Sequence, residues 1–544
     1  MRGYTGLYFQ INLLEQDMSD ALCLLRSIKN TFSPINRIPP EVLSLLPDYW
    51  DCQHYWDRQS ADQDLISLTH VCRSWRAIFT SNSLLWTRLD CKNANKTRVY
   101  IKRSRTLPLE ISLTESGYIS YHDNALLAAA SCTNRLSSLV IYRSSKGLQD
   151  LLDYFPFPTL LLKELKIVLR RVFGSDATIP GVTFPEDLSS LRKLSLSCVV
   201  THLPWRNLSN LTEFEFCRSM LEDLPTVTQL LDFFESAPLL RKIVLRSSIP
   251  NHFSVPPDRV VPLPNLDRLT VINFPVHSTF FDHLSIPPGA SMDLRFYVPT
   301  HRPQTPVCLD NNFGNLYHIT TINLLLDTSF WTSVRLSGPS GDLRMNGCQI
   351  GRGSSIVQSL RKFDISKTQM LSITGSPSRN DTTEDLSIFQ LLPLMDDLHT
   401  LALIQVDHRR LIRVLNPRRN ESRTVLCSQL RELVLYFERW ERARVKELVE
   451  MVSERAKRRS KLSSITTVSL GGYYPWKEIS LLQKYVSHVE YAAEDSPPGW
   501  DTVFGGVGGG GYDNDWNAFP YEDGCYDGGY DDDDDDDDDS SGSE

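Results

Sequence analysis

The chain has 544 residues, 41% of them hydrophobic and 23% charged, proportions that suit a folded protein and exclude collagen-like or wholly disordered classes. This length exceeds one ordinary core, so several domains or one elongated repeat body are expected. The net charge of −9 is uneven: Asp495 to Glu544 holds 17 acidic residues and no Lys or Arg follows Lys484, leaving 57 basic against 49 acidic residues elsewhere.

Met1 to Asn12 breaks its apolar residues with Gln10 and Asn12, and acidic Glu15 and Asp17 come next, a poor pattern for a signal or transit peptide. Residues 8–32 are expected to form an amphipathic helix. Ile11, Leu14, Met18, Leu22, Leu25 and Ile28 recur at spacings of three or four, and Ser33-Pro34 ends the pattern. The expectation is that this helix packs on the adjoining segment of the chain, because a dimerising coiled coil would want more heptads.

Residues 33–90 read as a small helical unit. Ile38-Pro39-Pro40-Glu41-Val42-Leu43 places prolines where a first helical turn needs no amide donors, and Glu41 at the positive helix end. Further on, Leu65, Leu68, Val71, Cys72, Trp75, Ile78 and Phe79 recur at three and four, which predicts one broad apolar helix face, and Leu85-Trp86 comes after it.

This succession, Ile-Pro-Pro-Glu-Val-Leu, then Leu-x-x-Leu-x-x-Val-Cys-Arg-x-Trp, then Leu-Trp, resembles the F-box, particularly the form common in mushroom-type fungi. The resemblance covers residues 33–90 closely and the rest only as architecture. It implies a non-catalytic receptor that docks on a Skp-type adaptor, and through it on a cullin scaffold. The implied adaptor-binding residues are Ile38, Pro39, Glu41, Val42 and Leu43 in a first helix, with Leu65, Leu68, Val71, Cys72 and Trp75 in the next. For Trp75 and Trp86 a plain core role competes with direct contact. One departure from the family is Pro47, which should stop the first helix, together with the polar and aromatic insertion of residues 48–63.

Residues 91–495 repeat one pattern, an apolar residue, two residues, an apolar residue, one residue and another apolar residue. It runs Leu136/Leu139/Ile141, Leu162/Leu165/Ile167, Leu191/Leu194/Leu196, Leu211/Phe214/Phe216, Leu240/Ile243/Leu245 and Leu266/Leu269/Val271. After a wide gap, with a weak copy at Met292-Asp293-Leu294, it resumes as Ile319/Ile322/Leu324, Leu360/Phe363/Ile365, Leu398/Leu401/Leu403, Leu430/Leu433/Leu435 and Ile465/Val468/Leu470. One strand and one return segment per unit predict an α/β repeat, an irregular leucine-rich repeat solenoid. No Asn or Cys stands at the usual ladder position, and buried parallel strands of an unrelated α/β fold would read alike. On the solenoid reading the outward strand residues Lys166, Ser195, Glu215, Val244, Thr270, Asn323, Asp364, Ala402 and Val434 are the candidates for binding a target protein.

Glu438 to Lys461 has helical composition with Val445, Leu448, Val449 and Val452 on one face; its run Lys457-Arg458-Arg459-Ser460-Lys461 reads as a solvated helix end or as a nuclear import signal. Residues 496–544 are Gly-rich and then Asp-rich, and are expected to be disordered, solubilising or binding a basic partner.

Eleven single cysteines without a Cys-x-x-Cys pair suit free thiols in the cytoplasm or nucleus rather than a disulfide frame or zinc site. No phosphate loop, nucleophile elbow or His-Glu-x-x-His occurs, so neither an enzyme nor a cofactor is expected. Nor is a membrane or a nucleic acid implied as a partner. The whole fold is expected to be a helical F-box, then the α/β repeat, then the acidic tail. The competing function is a protein-binding repeat scaffold whose degenerate F-box serves only as a cap.

Overall fold

The computed structural model describes residues 2–46, 58–114, 123–144, 151–152, 154–155, 161–170, 188–198, 208–217, 226–247, 259–274, 279–296, 316, 318–326, 331–349, 357, 360–361, 363–375, 386–404, 406, 408–419, 424–437, 442–470 and 476–494. Pro47, most of the 48–63 insertion and the whole 496–544 tail lie outside the described residues.

Among the described residues, the chain begins with the helices α1 (Arg2–Thr31), the single turn α2 (Pro40–Leu43), α3 (Arg58–Val71) and α4 (Arg73–Ser81). The strands then begin with β1 (Arg88–Leu89), β2 (Leu109–Thr114), β3 (Leu136–Ser144), β4 (Glu164–Arg170), β5 (Lys193–Ser197), β6 (Glu213–Cys217) and β7 (Lys242–Arg246). They continue with β8 (Val261–Pro262), β9 (Arg268–Phe274), β10 (Leu284–Ser285), β11 (Ser291–Phe296), β12 (Thr321–Leu326), β13 (Trp331–Gly338) and β14 (Gly341–Gln349). The last are β15 (Met370–Gly375), β16 (Thr400–Ile404), β17 (Glu432–Phe437), β18 (Ser464–Leu470) and β19 (His488–Glu494).

Pairing from β1 through β7 to β9 and β11 is parallel and sequential, and so is pairing from β12 through β15 to β19. The two arms meet through the β13–β14 hairpin, whose β14 pairs parallel with β11 and whose β13 pairs antiparallel with β12. Seventeen strands thus form one large, mostly parallel sheet, and β8 and β10 make a separate parallel pair. The hairpin accounts for the long interval after the Ile319 motif: Val334/Leu336 and Leu343/Met345 alternate as buried residues with period two, but no leucine three residues earlier announces them, while the wide gap before Ile319 holds β11 with buried Met292 and Leu294.

Strand entry shows that the units are equivalent. In most, one carbonyl accepts two successive amides of the next strand: Lys163 from Arg192 and Lys193, Arg192 from Thr212 and Glu213, Thr212 from Arg241 and Lys242, and likewise Arg241, Thr320, Gln369, His399 and Arg431. A carbonyl has two lone pairs, so this arrangement satisfies the turn without a side-chain ladder. It also explains how the repeat does without Asn or Cys at the ladder position.

The same hydrogen bonds correct two sequence frames. Gln369 takes the place just after the first motif residue, so the unit is Thr368/Leu371/Ile373, and Leu360/Phe363/Ile365 precedes the strand. Ser463 does the same later, which makes the last motif Leu462/Ile465/Thr467; Val468 instead shares register with Tyr436, and both are buried although they stand in the row that alternates with the inward leucines. Both frames were hidden by buried threonines. Thr368 Oγ1 donates to the Ile319 carbonyl at 3.3 Å and Thr467 Oγ1 to the Glu490 carbonyl at 3.2 Å, which lets a hydroxyl occupy an apolar position. Two further strands, β2 with Ile111 and Leu113 and β19 with Val489, escaped the pattern at the ends of the sheet.

Helices cover the inward face of the sheet: α5 (Ala94–Arg103), α6 (Asp123–Ala130), α7 (Val227–Ser236), α8 (His408–Leu415), α9 (Arg442–Lys457) and α10 (Trp476–Leu482). The start of α7 is fixed by a Thr226/Gln229 capping box, and Phe233 packs on Phe214 of β6 at 4.4 Å between ring centroids. Val445, Leu448 and Val452 of α9 are buried as their spacing predicts, and Val449 packs against the same core. One continuous hydrophobic core runs from Leu65 to Val486.

Candidate functional site

The head and the outward face of the sheet are the two surfaces that the sequence singled out. In the head, α2 turns only Leu43 inward, where it clusters with Leu68, Trp75 and Phe79. Trp75 meets Phe79 edge-on at 5.8 Å, and buried Trp86 donates its Nε1–H to the Phe79 carbonyl at 2.9 Å. Leu65 belongs instead to the main core, with Trp86, Leu89 and Tyr100. Arg103 stacks its guanidinium 4.2 Å from the Trp86 ring centre.

The expected single helix over Leu65–Phe79 is in fact two. Cys72 is extended (φ −159°, ψ 174°) and caps α4, and the Arg76 guanidinium donates across the break to the Thr69 carbonyl at 2.9 Å. The break swings the spacing of three and four out of phase, so the five expected residues do not form one patch. Leu65, Leu68 and Trp75 are buried, Cys72 is half-buried and Val71 is 55% exposed.

What the head presents is an apolar set that keeps Ile38, Val42 and Val71 of the expected residues, with Val42 at 52% exposure, and adds Leu45 at 54%, Ile66 on α3, Ile35 and Leu84. Pro39 and Glu41 are also exposed, whereas Leu43 is core. Ile35, Leu45, Ile66 and Leu84 were missed by sequence reasoning, because they lie between positions that the motif marks. Beyond residue 84 the exposed large hydrophobic residues among those described are Val99, Leu127, Leu161, Leu239, Val260, Leu394 and Leu481, scattered over separate segments. Exposed apolar surface is therefore concentrated in the head and α1.

The head is also built into the sheet. Its final segment supplies β1, which pairs with β2 through Arg88↔Glu110 and Leu89↔Ile111, so the sheet starts inside the 33–90 unit rather than after it.

On the sheet, five of the nine expected target-binding residues fall in one ladder row, Lys166↔Ser195↔Glu215↔Val244↔Thr270. Asn323, Ala402 and Val434 share a second row, joined through Ser372. Lys166, Ser195, Glu215, Thr270, Asn323 and Val434 are half-buried. Two residues depart from the expected exposure. Val244 is 6% exposed and Ala402 is wholly buried, the alanine because its side chain ends at Cβ, between Ser372 and Val434. Asp364 is not on a strand: it sits in the turn before β15 and accepts the Ser366 hydroxyl at 2.7 Å and the Ser366 amide at 3.2 Å. Those bonds hold its carboxyl below the ordinary range.

The outward face of the first arm is densely polar and internally paired. Ser195 Oγ donates to Glu215 at 3.1 Å, Arg246 lies 3.6 Å from Glu215, Arg295 lies 2.8 Å from Asp293, and Lys193 lies 2.8 Å from Glu213. Tyr142, Arg246, Asp293 and Arg295 extend the expected set, and their alternation with buried neighbours was the signal for them. Such mixed charge fits a polar protein surface better than a polyanion. Among the described residues no group of three or more His, Cys, Asp or Glu is placed to hold a metal ion, and no helix is long and apolar enough to cross a membrane.

No family model and no curated protein matches this chain. Among solved structures it is similar to a crystal structure of a Bacteroides fragilis protein determined as a structural-genomics target, with 11% identity, 72% of this chain and 76% of that one covered, and a TM-score of 0.19. A superposition that loose carries no argument about fold or function.

Proposed function

We propose that this chain is the substrate-recognition subunit of a Skp-cullin-F-box type ubiquitin ligase. Its head would bind the adaptor, and its sheet, as an irregular leucine-rich repeat domain, would bind the target. The observation that carries this reading is the concentration of exposed apolar residues in the head, beside a first arm of the sheet whose outward face is polar and mixed in charge. A receptor of this kind does no chemistry itself; it needs one docking surface of each sort. The adaptor contact then rests on Ile38, Val42, Leu45 and Val71 rather than on Leu65, Leu68 and Trp75, which hold the head together. Interfaces concentrate energy in a few desolvated side chains. Val42→Asp with Val71→Asp should therefore abolish co-purification with a Skp-type adaptor while leaving the far-UV spectrum and unfolding midpoint unchanged. If intact folded protein fails to bind the adaptor at micromolar concentration, the receptor reading is wrong.

The second reading is a protein-binding scaffold whose head is only a cap. It is favoured by the integration of β1, Leu65 and Trp86 into the sheet and its core, since the open end of a repeat needs a covering unit. Target capture without adaptor binding is its signature.

A further inference from the structure

Helix α1 contributes no residue to either hydrophobic cluster of the described chain. Leu14, Met18 and Leu25 are 61%, 66% and 63% exposed, and Leu7, Ile11, Ile28 and Phe32 are comparably open. The packing expected from the sequence is thus not made within the described chain.

The order of these residues is specific. Leu7, Ile11, Leu14, Met18, Ala21, Leu25, Ile28 and Phe32 succeed one another at alternating steps of four and three, the seam of a coiled coil running over nearly four heptads. The positions farthest from that seam are mostly small or polar, Asn12, Gln16, Ser19, Asp20, Arg26, Ser27 and Asn30, with Phe9, Leu13 and Cys23 as apolar exceptions, and Tyr8, Leu22 and Leu24 flank the seam. Counting Leu22 as the core residue, as its hydrophobicity invites, breaks the alternation and hides the heptad; Ala21 restores it.

We infer that α1 pairs with α1 of a second copy of this chain, as a coiled coil that makes the protein a dimer. Three observations select that occupant. A seam with this alternating spacing on identical helices is complementary to itself, which is what a two-fold interface requires. The helix has 30 residues, a length of about 45 Å, and it carries the seam from Leu7 to Ile28 along that length. Its charges balance, Arg2, Arg26 and Lys29 against Glu15, Asp17 and Asp20, so two copies do not repel. A helix that lies on an anionic membrane surface would instead be rich in Lys and Arg on its polar face.

The test uses the full chain. Light scattering coupled to size exclusion, at micromolar protein, should report twice the 62.1 kDa chain mass. Leu14→Glu with Leu25→Glu, both on the exposed seam, should return the single-chain mass without moving the unfolding midpoint of the body. Wild-type protein that stays at the single-chain mass overturns the inference, whether or not it sediments with lipid vesicles. So does a dimer that survives the double substitution, because it must then be held elsewhere.

Discussion

Arg455 and Ser460 hold one another at the end of α9: the guanidinium Nη2 donates to Ser460 Oγ at 2.9 Å, and that hydroxyl donates to the Ser428 carbonyl at 3.0 Å. Arg455 is wholly buried and forms no ion pair with a carboxylate among the described residues; its other bonds run to the carbonyls of Leu426 at 2.7 Å and Cys427 at 2.8 Å. Arg459, in the left-handed region at φ 63°, closes the helix and brings Ser460 back under it. The arginine is a clip between a return helix and the turn that starts β17. Burial lowers its pKa, yet a guanidinium stays charged in a protein.

Arg455→Ala should be among the most destabilising changes outside the apolar core. It strands three buried acceptors and leaves a cavity. At about 1–3 kcal/mol for each unsatisfied group, a loss of about 3 kcal/mol or more is expected in urea unfolding. Ser460→Ala removes two bonds, one of them from the charged guanidinium, and should cost about 2 kcal/mol. Equal, small effects for the two would mean that water takes over the acceptors.

Burial pushes the Cys91 and Cys427 thiols up to about 12 and Cys217 up to about 11, desolvation being the largest cause in each. Protonated thiol is therefore the form that the fold prefers. Its contribution is fully present below the unfolded pKa, near 9.0, and is lost as pH climbs toward the folded values. The unfolding midpoint should fall steeply above pH 9, and Cys→Ala at the three positions should flatten that fall. At pH 8 the same thiols should resist alkylation in folded protein. Midpoints that are flat from pH 9 to 11 would contradict the assignment.

How much of this was legible in the sequence depends on what each residue's neighbours do. Strand motifs such as Leu194/Leu196 and Leu433/Leu435 could be read directly, because their inward residues are leucines and burial tracks the alternation. Thr368 and Thr467 could not, because their hydroxyls find carbonyl acceptors that only the neighbouring strand supplies. In the head, the spacing of Leu65 to Phe79 correctly announced helix. It could not reveal the break at Cys72, where the residue types are compatible with either state, so buried and exposed members were assigned to one face.

Gly338 pairs with Gly341 at the tip of the β13–β14 hairpin. A Cβ built there collides with the carbonyl oxygen of His318, itself in the left-handed region at φ 61°. Backbone cannot swing aside as a long side chain does. Gly338→Ala should thus lift the hairpin from the entry to β12, where the Thr320 amide bonds the Ser337 carbonyl at 2.9 Å. The expected loss is about 1–3 kcal/mol, in the range of overpacked sites. Because β13 and β14 join the two arms, hydrogen exchange should quicken at β11 and β12 while β4 to β6 stay protected; uniform quickening would mean that the arms unfold as one unit.

Binding and folding should separate on the outward face of the sheet. Lys166, Ser195, Glu215 and Thr270 lie in one row and are half-buried, so changes in their charge need not empty the core. Lys166→Glu with Glu215→Lys should abolish capture of a target protein and shift the unfolding midpoint little, since ion pairs at such sites are worth about 1 kcal/mol or less. Tenfold weaker capture corresponds to about 1.4 kcal/mol, and loss well beyond that is expected when both signs are reversed. Val244 and Ala402 are the internal controls. They stand in the outward rows but are buried, so Val244→Asp or Ala402→Asp would bury an unpaired charge and should lower stability by several kcal/mol. If instead the row reversals unfold the sheet while the aspartates are tolerated, the two faces of the strands have been exchanged. If all of these variants fold and still capture the target, recognition lies elsewhere, and the exposed apolar head becomes the remaining candidate.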